Sequence, residues 1–201
     1  MKHGSAPRRI PLWIKLLYSS FLCVLVPVYG WHYGPGNFLW ACDIALFFVL
    51  AALWLERRLP SSMMAIGILP FEILWIVDFL AGSQLIGMAS YMFETERPLY
   101  LRGLSLFHVA VPGILVLLLR RLGYDPRALA AQTLLIWIVL PLTYLVTDPA
   151  DNINMAFGFG LEPQTRMHPL LHLGLEMILL PLVVCWPMHR LLQRWVGSRP
   201  A

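Results

Sequence analysis

The 201-residue chain is 59% hydrophobic and only 13% charged, about half the charged share of an ordinary soluble domain, which excludes a water-soluble globular fold. Its formal net charge of +4 sits in short basic clusters at the ends of apolar runs, the placement of topology signals rather than of a nucleic-acid footprint. Cys23, Cys42 and Cys185 all fall inside apolar runs, which argues against a disulfide framework.

Spanning a bilayer takes about 20 apolar residues, and runs of that length follow one another with little between them. They predict six helices, at residues 10–29, 36–55, 62–81, 101–119, 128–146 and 169–188, hence a single all-α, polytopic membrane domain. The first run follows Lys2, Arg8 and Arg9 as a signal peptide would, yet it continues into Pro27, Tyr29 and Trp31 without a small-residue cleavage site. The glycine-rich turn WHYGPGNF leads to the second helix, with Cys42 and Asp43. The third carries Glu72 and Asp78. After it, residues 83–93 are apolar but too short to span, and Gly82, Gly87 and Ser90 mark them as an interfacial or re-entrant segment. The fourth helix holds Ser105 and His108, and a loop with Asp148, Asp151, Asn152 and Asn154 follows the fifth. On the sixth, His168, His172 and Glu176 recur at i, i+4 and i+8, close to one face. Pro27, Pro70, Pro112, Pro141 and Pro181 mark kinks within or near the ends of five helices.

Six spans sort the cations by side. Lys2, Arg8, Arg9, Lys15, Arg57, Arg58, Arg120, Arg121, Arg127, Arg190, Arg194 and Arg199 fall on one side, against Arg97, Arg102 and Arg166 on the other. The positive-inside bias then places both termini in the cytoplasm, and an odd helix count would spoil it. A bacterial inner membrane is the expected location.

With that topology, Cys42 and Asp43 lie about two turns below the outer surface, at ~1.5 Å per residue. Asp78 falls near the same depth, Glu72 nearer the midplane, and Ser105, His108, His168, His172 and Glu176 in the outer half. The cytoplasmic half is expected to be nearly bare of such groups. Ionisable residues within spans are costly and mark functional sites by default. The expected feature is therefore a polar pocket open to the outer leaflet, built from Glu72, Ser105, Asn152, Asn154, His168, His172 and Glu176 around a catalytic set of Cys42, His108, Asp43 and Asp78. The alternative is that these residues pair as glue between helices.

One chemistry the residue types allow is acyl transfer: Cys42 as thiolate nucleophile, His108 as base, and Asp43 or Asp78 orienting or charging the histidine. The stretch NFLWACDIALFFVLAALWL resembles the cysteine-bearing helix of YwaF-like bacterial integral-membrane proteins and of their transmembrane phospholipid-acyltransferase relatives. LSLFHVAVPGILVLLLRRLGY is similar to the histidine-bearing helix of that family, and NINMAFGFG to its asparagine-containing loop. The resemblance covers residues 37–160 and implies a six-helix fold with a cysteine–histidine acyl-transfer site, carried onto Cys42 and His108. The chain departs from the family pattern in having Ala41 before the cysteine and a single histidine at 108. It also resembles a group of uncharacterised bacterial membrane-associated proteins.

Two other readings stand beside it. His168, His172 and Glu176, with His108 or Asp78, offer a donor set for a metal-dependent membrane hydrolase, although the tighter His-Glu-x-x-His spacing is missing. A non-enzymatic protein that binds or transports a lipid or polar ligand fits the same pocket. No phosphate-binding glycine loop, nucleotide motif or haem-attachment motif occurs. The expected partner is a membrane lipid as substrate or ligand, with no organic cofactor and no nucleic acid. The sequence leaves the oligomeric state open.

Overall fold

The computed structural model describes residues 10–160 and 162–197, which fold into helices joined by short loops, with no β-strand among them. In chain order the helices are α1 (Leu12–Tyr33), α2 (Ala41–Leu55), α3 (Arg58–Gly67), α4 (Leu69–Leu80), α5 (Leu99–Leu104), α6 (Phe107–Leu122), α7 (Ala128–Val146), α8 (Pro169–Leu179) and α9 (Trp186–Gly197).

Among the described residues, four stretches are long and apolar enough to cross a membrane: Leu12–Tyr33, Leu99–Leu122, Ala128–Val146 and Pro169–Val196. α3 and α4 qualify together as a fifth, bent by 50°. The apolar helix α2 has 15 residues, a rise of about 22 Å, short of the ~30 Å hydrocarbon core. The six predicted helices thus become four spans, one broken span and one short helix. Their outer faces stay apolar: Leu134, Trp137, Ile138, Leu142 and Leu145 of α7 are all exposed. An apolar face of that extent is stable against lipid tails and not against water, which fits an integral membrane protein.

The breaks have local causes. The predicted helix 62–81 parts at Ile68, with Gly67 before it and Pro70 near the start of α4. A proline lacks the N–H that a helix interior needs but is accepted in the first turn, where that donor has no partner anyway. The predicted start of the second helix is instead a 3-10 turn, Pro35–Leu39, followed by the extended Trp40. Pro181 lies in a π-helical turn, Leu180–Cys185, that joins α8 to α9, a wide turn that relieves a proline inside a helix. The last helix therefore runs well beyond residue 188.

α3 is the hub. Residues 61–69 are all buried, enclosed by α2, α6 and α7 and approached by α9. Its small residues, Ser61, Ser62, Ala65 and Gly67, allow this close approach.

Contacts separate the two ends of the bundle. At one end Lys15 pairs with Glu56 at 2.6 Å, Asp125 N–H donates to Ser62 Oγ at 2.9 Å, and the Tyr124 hydroxyl bonds His189 Nδ1 at 2.6 Å. At the other end Arg97 Nη1 donates to the Tyr33 hydroxyl at 2.8 Å, and His32 bonds Tyr100. Of the cations sorted by sequence, Lys2, Arg8, Arg9 and Arg199 lie outside the described residues. The cation-rich end, expected from sequence to be nearly bare of such groups, instead buries Ser61, Ser62, Tyr124, Asp125 and His189.

Candidate functional site

At the opposite end the break in the third span builds a polar site. Glu72 falls in the first turn of α4, where the unpaired N–H groups of a helix start favour a carboxylate. Its Oε2 accepts the Nδ1–H of His108, on α6, at 2.7 Å. The His108 ring is stacked against Trp75 (centroids 4.6 Å apart) and Phe107 (4.1 Å). Bond and stacking together fix the ring and leave Nε2 as the nitrogen available to exchange a proton.

α2 supplies the facing wall. Asp43 is 2% exposed and its Oδ2 accepts from the Asn37 amide at 3.0 Å. Cys42 sits in the first turn of α2, its thiol against the backbone N–H groups of Cys42 and Asp43 and within electrostatic range of the Asp43 and Glu72 carboxyls. From α1, the Tyr29 hydroxyl donates to Ser105 Oγ at 2.8 Å, and Ser105 donates onward to the Leu101 carbonyl at 3.1 Å. Tyr91 reaches in beside Ser105 and Trp75. Three buried polar atoms here have no hydrogen-bond partner: Asp43 Oδ1, Glu72 Oε1 and Trp75 Nε1.

Cys42, Asp43, Glu72, Ser105 and His108 therefore share one cluster. The partner of His108 is Glu72, not Asp43 or Asp78. Among the described residues, no hydrogen bond joins Cys42 to His108. Asp78 is committed elsewhere: Oδ1 accepts the N–H groups of Leu85 (3.2 Å), Ile86 (2.8 Å) and Gly87 (3.3 Å), and Oδ2 those of Ala89 (3.0 Å) and the Ser83 hydroxyl (2.9 Å). It is the anchor of residues 83–89, which fold back on α4.

The two asparagines order the loop after α7. Asn154 Oδ1 accepts the Ala41 N–H at 2.7 Å while its amide donates to the Leu39 carbonyl at 2.7 Å. It thereby satisfies the first unpaired N–H of α2, one residue before Cys42. Asn152 Oδ1 accepts from Phe157 N at 3.0 Å and its amide donates to the Gly158 carbonyl at 2.9 Å. Both asparagines hold left-handed backbone, at φ 40° and 57°, a conformation their short side chains tolerate.

On α8, His172 Nε2–H donates to the Met155 carbonyl at 2.9 Å. Exposed His168 accepts the Leu170 N–H and caps the helix. Glu176 is buried with Oε2 unpartnered. Among the described residues no three His, Cys, Asp or Glu side chains gather to hold a metal ion. His168, His172 and Glu176 do not converge with His108 or Asp78, and the donor set offered for a metal hydrolase is not assembled.

Tyr29, Asn37, Trp75 and Tyr91 belong to the cluster without having been singled out by sequence as site residues. Asn37 alone carried a local signal, as the one amide in the short stretch leading to Asp43. No known family, curated protein or solved structure matches this chain.

Proposed function

We propose that the chain is a six-crossing integral membrane protein, its cation-rich end in the cytoplasm, that catalyses lipid acyl transfer or lipid ester hydrolysis at the Glu72–His108 cluster. α2, extended by the Pro35–Leu39 turn, and the bent α3–α4 pair supply the two crossings beyond the four long spans. The observation that carries the chemistry is the 2.7 Å bond from His108 to Glu72, a base held in one orientation by a buried carboxylate.

In this reading the Cys42 sulfur attacks the ester carbonyl, forming the C–S bond as the acyl C–O bond breaks. His108 Nε2 takes the thiol proton and delivers it to the departing alcohol oxygen. An acceptor hydroxyl, or water, then attacks the thioester, giving its proton to His108 Nε2 as the new C–O bond forms; the C–S bond breaks and His108 passes that proton to sulfur. Glu72 positions the ring through Nδ1. The N–H groups of the first turn of α2 offer the thiolate some positive potential against the opposing Asp43 and Glu72 carboxyls, and Asn154 positions that turn. Nucleophile–base contacts are often long without substrate and close in the complex.

The test is acylation of the purified protein in lipid vesicles by a fatty-acyl phospholipid carrying a reporter chain. A hydroxylamine-sensitive adduct at Cys42, lost in Cys42→Ala and reduced at least a hundredfold in His108→Ala, is expected. Labelling confined to Cys23 or Cys185 overturns the mechanism.

A further inference from the structure

The cluster is short of hydrogen-bond donors and of positive charge. Asp43 and Glu72 are each 2% exposed, and each keeps one carboxyl oxygen unpartnered. Among the described residues neither pairs with Lys or Arg; His108 answers Glu72 Oε2 and the Asn37 amide answers Asp43 Oδ2. A charged His108 can balance the Glu72 carboxylate, whereas an ionised Asp43 has only the neutral Asn37 amide to answer it. An independent signal lies one turn along α4 on the same face: Trp75, 3% exposed, whose Nε1 is also unpartnered.

We propose that this cluster binds a primary ammonium group, donating to Asp43 Oδ1 and Glu72 Oε1, so that the substrate class is an aminophospholipid. The inference rests on the reading of the cluster as the working site. A hard metal ion calls for about six or more oxygens, whereas here the Tyr29 and Ser105 hydroxyls are spent on each other and, among the described residues, no three acidic, thiol or imidazole side chains stand close enough together to hold a metal. An ammonium has three N–H donors and is satisfied by few, separated acceptors. The Trp75 indole is left to donate to an oxygen of the same molecule. Tyr91 lies beside Trp75, with ring centroids 6.4 Å apart, and Arg97 lies over the Tyr91 and Tyr33 rings at 5.3 and 5.9 Å.

The experiment displaces an acyl-chain-labelled fluorescent phosphatidylethanolamine from full-length Cys42→Ala protein in micelles. Unlabelled phosphatidylethanolamine is expected to compete at least tenfold better than phosphatidylcholine of the same chains, whose ammonium has no N–H. Competition by millimolar ethanolamine assigns the site to the ammonium alone, and its failure assigns it to the whole lipid; both keep the ammonium contact. Asp43→Asn and Glu72→Gln should each weaken binding at least tenfold. Equal competition by the two lipids overturns the inference, and needs no folded variant of either carboxyl. Because Cys42→Ala forms no thioester, head-group selectivity there survives failure of the acyl mechanism. Acylation at Cys42 without head-group selectivity sinks this inference alone.

Discussion

His108 Nδ1 lies 2.7 Å from Glu72 Oε2, joining α6 to the first turn of α4 just past the bend in the third span. With Glu72 2% exposed, each partner leaves the other uncompensated when removed. His108→Ala and Glu72→Ala should each lower stability in micelles by about 3 kcal/mol, in the range for breaking a buried pair. The double variant should lose clearly less than the sum, a coupling of about 1–3 kcal/mol. Additive losses in denaturant unfolding would mean that the two side chains do not act as a pair.

The membrane character and the chain positions of the helices were legible because hydrophobic run length is nearly all that a bilayer demands. α7 matches its predicted bounds since nothing breaks its run before Thr147. What hydropathy could not reveal was the division of the third run at Ile68, because Gly67 and Pro70 are apolar enough to leave the profile continuous. For the site, depth was the only coordinate available. It grouped Cys42 with Asp78 and set Glu72, the true partner of His108, nearer the midplane, since depth along a helix says nothing of rotation about it. Asp78 is turned toward the backbone of residues 83–89 and Glu72 toward α6, a difference that only packing decides. The Tyr124–His189 pair at the cation-rich end was not legible because His189 falls just past the predicted end of its helix.

Asp78 should behave as a structural residue. Its carboxylate collects four backbone N–H groups and the Ser83 hydroxyl, donors that would otherwise be left facing an apolar wall at about 1–3 kcal/mol for each one stranded. Asp78→Ala is expected to raise amide exchange at Ile86 and Ala89 at least tenfold while leaving the Glu72–His108 coupling intact. Exchange confined to wild-type rates would remove its role as anchor.

Asn154 makes a different kind of claim, since it reaches α2 from 113 residues away. Losing its bonds to Ala41 N and Leu39 O frees the start of the helix that carries Cys42. Asn154→Ala should cost about 1–2 kcal/mol, as other lost helix caps do, and should slow thiol labelling or acylation at Cys42 more than it slows labelling at Cys23. Equal effects on both cysteines would point to general loosening instead.

Gly67 tests the hub. A Cβ placed on it would stand 2.4 Å from Gln132 Nε2 and 2.8 Å from Gln132 Cδ, and Gln132 is itself buried on α7. Overpacking of this kind costs about 1–3 kcal/mol. Gly67→Ala should therefore be destabilising by that amount, and adding Gln132→Ala should restore part of the loss by clearing the space. A Gly67→Ala protein as stable as the parent would show that α3 and α7 do not pack this closely.

The loop between α6 and α7 gives a pH dependence outside the spans. Arg127 donates to Asp125 from Nε at 3.0 Å and Nη2 at 2.8 Å, and this bidentate bond, helped by the charge of Arg58, holds the Asp125 carboxyl below its ordinary range. A carboxyl lowered in the folded state contributes stability that is fully present above the unfolded value, about 3.9. That contribution is lost as pH falls through the folded value, because the unfolded chain takes up the proton first. Arg127 is largely exposed, so the contribution is of the order of 1 kcal/mol or less. Asp125→Asn should flatten the decline in unfolding temperature below about pH 4 relative to the parent, and high salt should shrink the difference between them. An unchanged acid limb in the variant would mean that other carboxylates carry all of it.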